Sequence, residues 1–386
     1  VTALLDQIHA IGRDVLEPAA DAVDRDARFP TEGIAALRRA GMLGLLVPSQ
    51  LGGEGAPMGT VVGICHALGQ HCANTAMIYA MHQIQLACLV RHGHGLPWLR
   101  TQLQRAAFEQ WLIASATTEA ETGGDVTRSA CALEWRGERF TVRKRGTVIS
   151  YGEQADAVLL TARRTPEAQP TDQSLVLLTR SDYLLEISAE WQALGMRGTC
   201  SHGFTLAGSG HCQQVLPLAY AELSAQTMLP VSHLVWAAVW SGIAVGAVTR
   251  AQAHVRAQAR KRPGVVPHGA TRLAEAVALL QQMRALVTCA AQRYEAAQER
   301  TDEIRSFAFA IEMNTLKTTV SEAAVRAVQL ALLACGLAGY RTDGPYSVAR
   351  HLRDAHSAAL MISNDRITAN TAQMLLVQKT QTELVP

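Results

Sequence analysis

The sequence predicts a mainly α-helical protein with a β domain in its middle: helices, then strands, then a closing helical bundle. Three observations carry this reading. Apolar residues recur at helical spacing from the start, as at Leu4, Leu5, Ile8, Ile11, Val15 and Leu16. From Trp111 to about Leu216 the texture turns to short alternating or continuous apolar runs. From Tyr220 onward the chain is alanine-rich, with three amphipathic stretches long enough to pack as a bundle. The expected division is 1–110, 111–217 and 218–386, the last part holding a four-helix bundle.

In the first part, Pro30 to Gly41 reads as one helix, with proline near its start and glycine just past its end. Met42 to Gly53 is an apolar segment closed by Pro48 and a glycine pair. Two long helices with continuous apolar faces are expected at 57–72 and 75–92. In the middle part, Trp111-Leu-Ile-Ala-Ser115 has the character of a buried strand. Residues 130–143 form two alternating runs around Arg136-Gly-Glu138, a hairpin pattern. Residues 157–163 and 174–180 are apolar strands separated by a proline-containing turn, and 203–207 is another. In the last part, helices are expected near 231–262, 271–300 and 302–335, with two shorter ones after Pro345. Arg262-Pro-Gly-Val-Val-Pro267 must separate the first two, because proline cannot continue a helix.

Composition narrows the function. The 386 residues are 48% hydrophobic and 18% charged with net charge +2, enough for domains sharing one large core. Nucleic-acid binding would call for basic clustering, and the one dense basic run, Arg260-Lys-Arg262, read by itself is a solvated helix end. No apolar run reaches the roughly eighteen residues of a membrane span, so none is expected. No charged-then-apolar leader is visible, and a cytoplasmic location is the expectation. Eight cysteines without a C-x-x-C pair point to a reduced compartment. His92 and His94 lack a third ligand at useful spacing and read as a turn between helices rather than a metal site.

The stretch Ser115-Ala-Thr-Thr-Glu-Ala-Glu-Thr-Gly-Gly-Asp125 is the candidate site. Hydroxyls follow the end of a strand, and Gly123-Gly124 can take positive φ and present backbone N–H groups. Such a shelf suits a planar or phosphorylated ligand, although the same loop alone also suits a bare surface.

Taken with its neighbours, this loop resembles part of the acyl-CoA dehydrogenase family pattern. Gly44-Leu-Leu-Val-Pro-Ser-Gln-Leu-Gly-Gly53 is similar to G-x-x-V-P-x-x-x-G-G. Thr118 to Asp125 resembles T-E-P-x-x-G-S-D, with Ala120 for proline and Gly124 for serine. Ile149-Ser150 and Ala155-Asp156 resemble W-I-T-N-x-x-x-A-D, and Leu194-Gly-Met-Arg-Gly-Thr199 resembles L-G-x-R-x-S. Arg260 to Gly264 matches R-x-x-F-G apart from Pro263. Cys335-Gly-Leu-Ala-Gly-Tyr340 and Arg353-Asp-Ala355 complete the series in order over nearly the whole chain. The resemblance implies FAD between the β domain and the bundle, in a homodimer or homotetramer. Ser115, Thr117, Thr118 and Gly124 would then lie against the flavin. Ser150 would stand near N5, and Val148 would replace a covering tryptophan. Arg260 would hold the pyrophosphate, of the neighbouring subunit, as a bidentate donor. Asn364 would replace a hydrogen-bonding threonine, and Leu333 falls where the family has a glutamine on the cofactor. The implied substrate is an acyl-CoA or acyl-carrier thioester, and the electron acceptor a flavoprotein or O2.

The family reaction needs a base for the α-proton, normally a glutamate. Here its position is Ile362, whose backbone N–H still suits a thioester carbonyl. The alternative site, on the first bundle helix, is Ser232. Substitute bases to weigh are His82, His233 and Asp365. The gap leaves two further readings open. One is a flavin monooxygenase of the same fold, using reduced flavin and O2. The other is a flavin-binding subunit without chemistry.

Overall fold

The computed structural model describes residues 2–93 and 95–380; His94, one of the two histidines weighed above, lies outside them. The first third is helical: α1 (Thr2–Ile11), α2 (Glu17–Arg25), α3 (Thr31–Arg39), α4 (Met58–His71), α5 (Ala73–Gly93) and α6 (Pro97–Glu109). α3 ends where the sequence places its stop: Ala40 closes the last turn and Gly41 follows at φ 75°.

Seven strands follow: β1 (Ile113–Ala116), β2 (Glu134–Arg136), β3 (Arg139–Gly146), β4 (Ala157–Arg163), β5 (Gln173–Thr179), β6 (Tyr183–Ala189) and β7 (Gly203–His211). They form two sheets, one in the order β1-β4-β5 and one in the order β2-β3-β7-β6. β1 runs parallel to β4, pairing Ser115 with Leu159. The mostly apolar β4 and β5 are buried on both faces, whereas β3 alternates exposed and buried at every step. The expected hairpin is present, with Arg136 opposite Arg139 across Gly137 at φ 62°.

The remaining helices are α7 (Tyr220–Leu223), α8 (Leu229–Lys261), α9 (Gly269–Ala297), α10 (Thr301–Ile304), α11 (Phe307–Cys335), α12 (Leu337–Tyr340), α13 (Ala349–Ala355), α14 (Ser357–Leu360) and α15 (Asn364–Leu375). A π-type turn at Ser224–Met228 joins α7 to α8. It lies just before Pro230, which has no N–H to offer the preceding turn.

One continuous apolar core joins all three parts. α4 crosses α8 at two glycines. A side chain at Gly69 would lie 2.6 Å from the Val239 carbonyl, and one at Gly242 would collide with the His66 carbonyl. A polar pin fastens α3 to the sheet. Arg38 pairs with Asp156 at 2.6 Å, and the same carboxylate accepts from the Leu112 N–H at 2.7 Å.

The absence of an apolar run of membrane length needs correction. Two helices, Tyr220–Lys261 and Phe307–Cys335, are long and apolar enough to cross a membrane by length and composition. The most apolar stretch of the first is 89% buried inside the fold, as the central helix of a bundle would be.

Candidate active site

The hydroxyl shelf forms at the end of β1. Ser115, Thr117 and Thr118 are half-buried there, the first two 3.5 Å apart, and Thr118 donates to the Val148 carbonyl at 3.3 Å. Gly123 and Gly124 take φ of 58° and 78°, so the loop turns back as its glycines allow. Arg366, at the start of α15, donates to the Gly123 carbonyl at 2.7 Å. The structure thereby brings the glycine turn and the segment around Ile362 together. Ser150 is half-buried and heads a chain of hydroxyls: 2.7 Å to Ser201, 2.7 Å on to Thr199, which donates to the Met196 carbonyl at 2.8 Å.

Beneath the shelf lies an ion pair that motif reasoning does not single out. Glu119 and Lys144 meet at 2.7 Å, 1% and 0% exposed. Lys144 also donates to both oxygens of Thr161, at 2.7 and 3.1 Å. Glu119 accepts from Ser129 and from the N–H groups of Ala130 and Cys131 at 2.8 and 3.0 Å. Burial alone would raise the Glu119 pKa, but Lys144 and these donors outweigh it and hold the carboxyl below its ordinary value. The alternation of β3 carries the clue: Lys144 sits at an inward position among Phe140, Val142 and Gly146.

Two weak motifs of the sequence prove to be one contact. The Met196 N–H donates to Asp354 at 2.7 Å, and a side chain at Gly195 would collide with the Arg353 carbonyl. Burial pushes the Asp354 carboxyl up to about 6.

At the position where the resemblance places the base, Ile362 lies in the turn between α14 and α15, 41% exposed and at φ 50°. A β-branched residue in this left-handed region is a genuine outlier. Among the described residues its N–H meets no acceptor. Behind the turn, Lys317 of α11 is fully buried. Its ammonium donates to the carbonyls of Ala358 and Ile362 at 2.9 and 2.7 Å and to Asn364 Oδ1 at 2.7 Å. It also lies 5.4 Å from the centre of the Trp240 ring. Burial brings its pKa down to about 8.

The other expected site residues have the following surroundings. His82 is a structural staple: its Nε2 donates to the Leu43 carbonyl at 2.7 Å and its Nδ1 accepts from the Ile113 N–H at 3.0 Å. Both nitrogens are engaged, and burial takes the pKa down to about 4. His233 donates from Nδ1 to the Met313 carbonyl at 3.1 Å, and burial, aided by the nearby Lys317, takes it down to about 3. Such an imidazole is too weak a base for work near neutral pH. Ser232 is bonded to the Leu229 carbonyl at 2.7 Å. Asn364 is half-buried, its amide shared between Lys317 and Ser321. Asp365 is exposed in the first turn of α15, where a carboxylate complements the helix end. Arg260 is exposed in the last turn of α8 and has no ion pair among the described residues. Leu333 is exposed on α11. One trio elsewhere, Glu138, His211 and Cys212, has the donors for a metal ion, but they already bond to one another at 3.1 and 3.4 Å through the His211 ring.

A model of the acyl-CoA dehydrogenase N-terminal domain matches residues 2–95, and one of the acyl-CoA dehydrogenase C-terminal domain matches residues 223–372, together more than half the chain. Cyclohex-1-ene-1-carbonyl-CoA dehydrogenase of Geobacter metallireducens is 24% identical over 370 residues, covering 94% of each protein. Among solved structures, FMN-bound TdsC of Paenibacillus sp. A11-2 superposes with a TM-score of 0.85 at 20% identity over 98% of both chains. TdsC is a dibenzothiophene monooxygenase. A glutaryl-coenzyme A dehydrogenase in complex with glutaryl-CoA superposes at 0.83 and 20% identity, over 99% of this chain and 96% of the other.

Proposed function

The chain belongs to the acyl-CoA dehydrogenase family, a family of flavoproteins, and from that premise we propose that it is a flavin-dependent oxidoreductase that oxidises an acyl thioester between its α- and β-carbons. The turn at Ile362 is the observation that carries this reading. It has a left-handed backbone and an N–H that, among the described residues, meets no acceptor, beside the glycine loop, the arrangement a thioester carbonyl needs as a donor. What the position has lost is the side-chain base.

The residues present fit a flavin, proposed as FAD. The half-buried hydroxyls of Ser115, Thr117 and Thr118 and the backbone of Gly123-Gly124 offer donors to a planar ring. Ser150 can donate or accept toward N5 because its partner Ser201 can reverse its own hydrogen bond. Arg260, exposed and without an ion pair among the described residues, suits the pyrophosphate of a neighbouring copy in a homodimer or homotetramer. When bound, flavin supplies the hydride acceptor. The half-exposed Ile362 leaves the α-proton to water, at a cost in rate of roughly a hundred- to ten-thousand-fold against a placed carboxylate.

That same lack of a base favours a second reading, monooxygenation with reduced flavin and O2, which needs a hydroxyl near the flavin edge but no α-proton base. Anaerobic mixing of the flavin-loaded protein with a panel of acyl-CoAs separates the two. Bleaching of the flavin supports dehydrogenation, with an electron-accepting flavoprotein or O2 as oxidant. No bleaching, with substrate-dependent O2 uptake when a flavin reductase supplies electrons, supports monooxygenation. Neither result with flavin retained leaves a cofactor-binding subunit without chemistry.

A further inference from the structure

Lys317 is a buried cation whose three hydrogen-bond partners are all uncharged. Two of them, the carbonyls of Ala358 and Ile362, belong to the end of α14 and the turn after it, where carbonyls lack helical partners. The third, Asn364 Oδ1, opens α15. One ammonium therefore ties together both ends of a turn whose central residue is β-branched and at φ 50°. An ammonium offers three donors and no acceptor, and all three are used on this one turn. Ser321 finishes the arrangement by accepting from the Asn364 amide at 2.9 Å. Nothing in a helix-packing role for α11 requires a charge at this point. Facing residues of the bundle, Trp240 among them, would pack equally against an apolar side chain.

We propose that Lys317 is the positioning residue of this site: its ammonium clamps the turn at 358–364 in the left-handed form that presents the Ile362 N–H to the thioester carbonyl. The proposal rests on the acyl-thioester reading for its ligand, but the clamp itself is a property of the free protein. It explains how the turn keeps its shape when the residue at its centre is one that resists that shape. A glycine at 362 would take the same φ without strain and would need no clamp.

The test is a double-mutant cycle on the full chain with flavin bound, read by calorimetric titration with butyryl-CoA. Lys317→Met, which keeps the apolar stem, should weaken binding about tenfold to a hundredfold. Ile362→Gly, which keeps the main-chain N–H, sets the reference of the cycle, and the double variant should bind within about threefold of Ile362→Gly. Wild-type affinity in Lys317→Met overturns the proposal, as does a double variant as weak as Lys317→Met, which a merely structural lysine would give. Should Lys317→Met not fold, Lys317→Gln takes its place in the cycle. If butyryl-CoA and longer acyl-CoAs fail to bind the wild type, the acyl-thioester reading falls, and amide hydrogen exchange across 358–364 decides the clamp. Lys317→Met must accelerate exchange there and Ile362→Gly must reverse it; failure of either step overturns the clamp.

Discussion

Ile362→Glu supplies the carboxylate that the proposed catalytic position lacks and gives the proposed function its sharpest test. The position is open enough to receive a carboxylate: at 41% exposure the new group is not forced out of water. The backbone is already in place, and an unbranched glutamate relieves a left-handed conformation that costs a β-branched residue of order 1–3 kcal/mol. Lys317 lies 2.7 Å from the carbonyl of the same residue, and its positive charge favours the ionised carboxylate, the form a base requires. A placed general base is worth roughly a hundred- to ten-thousand-fold. At about 1.36 kcal/mol per tenfold this is about 3–5 kcal/mol of barrier. Stopped-flow bleaching of the bound flavin by butyryl-CoA, without oxygen, should therefore accelerate at least about a hundredfold in Ile362→Glu. Ile362→Gln has the same shape without the charge and should match the wild type. Equal rates for the glutamate and glutamine variants, with flavin retained and the fold intact, would refute the placement of the thioester at this turn.

The other predictions concern what holds the site. Lys144→Met leaves Glu119 buried without its cation and should cost about 3–5 kcal/mol, read as a fall in the midpoint of thermal unfolding. Because Glu119 is held below its ordinary pKa, its contribution is full above the ordinary glutamate value. It is lost as pH falls from there through the lower folded value, so Glu119→Gln should flatten that acidic limb of the melting profile. His82→Ala should lower stability by roughly 1–3 kcal/mol for each of the two backbone groups it orphans, at Leu43 and Ile113. The pH dependence of turnover should not change, and a lost limb in that profile would return His82 to the list of bases. Gly242→Ala drives a methyl into the His66 carbonyl and should destabilise by about 1–3 kcal/mol or more, measured by denaturant unfolding.

Much of this fold is written in local pattern. The long helices at Met58–His71, Ala73–Gly93 and Phe307–Cys335 announce themselves through apolar periodicity, and β4 falls on the residues expected because an apolar run bounded by turns has few alternatives. β6 escapes notice for a physical reason. It is a mostly exposed edge strand, with Leu184 facing solvent, so no buried face imposes alternation on it. The glycine loop and Ser150 are visible as motifs, since their chemistry lies in residue type. The roles of His82, His233 and Asn364 are not, because they depend on which distant carbonyl or ammonium lies opposite, and no local spacing encodes a bond between residues 317 and 364. Lys144 stands between these cases: its inward register on β3 foretells burial, but the partner, Glu119, is fixed only by the fold.

The retained turn and the lost carboxylate bear on how such a site can change. In the acyl-thioester reading, carbonyl recognition at position 362 would use a main-chain N–H and proton removal a side chain, so one substitution can delete the second and spare the first. Isoleucine is nevertheless a costly replacement there, since its branched Cβ opposes the left-handed backbone that keeps the N–H outward. A turn under that load persists only when surrounding bonds over-determine it. The three charge-assisted bonds from Lys317 are such bonds, each worth about 1.5–3 kcal/mol to a charged donor and together more than the strain. The lysine's own burial works against it, as its lowered pKa records, so the cluster is stable only while all three acceptors stay in place. A shape maintained at that cost is what the proposed grip on a thioester carbonyl requires.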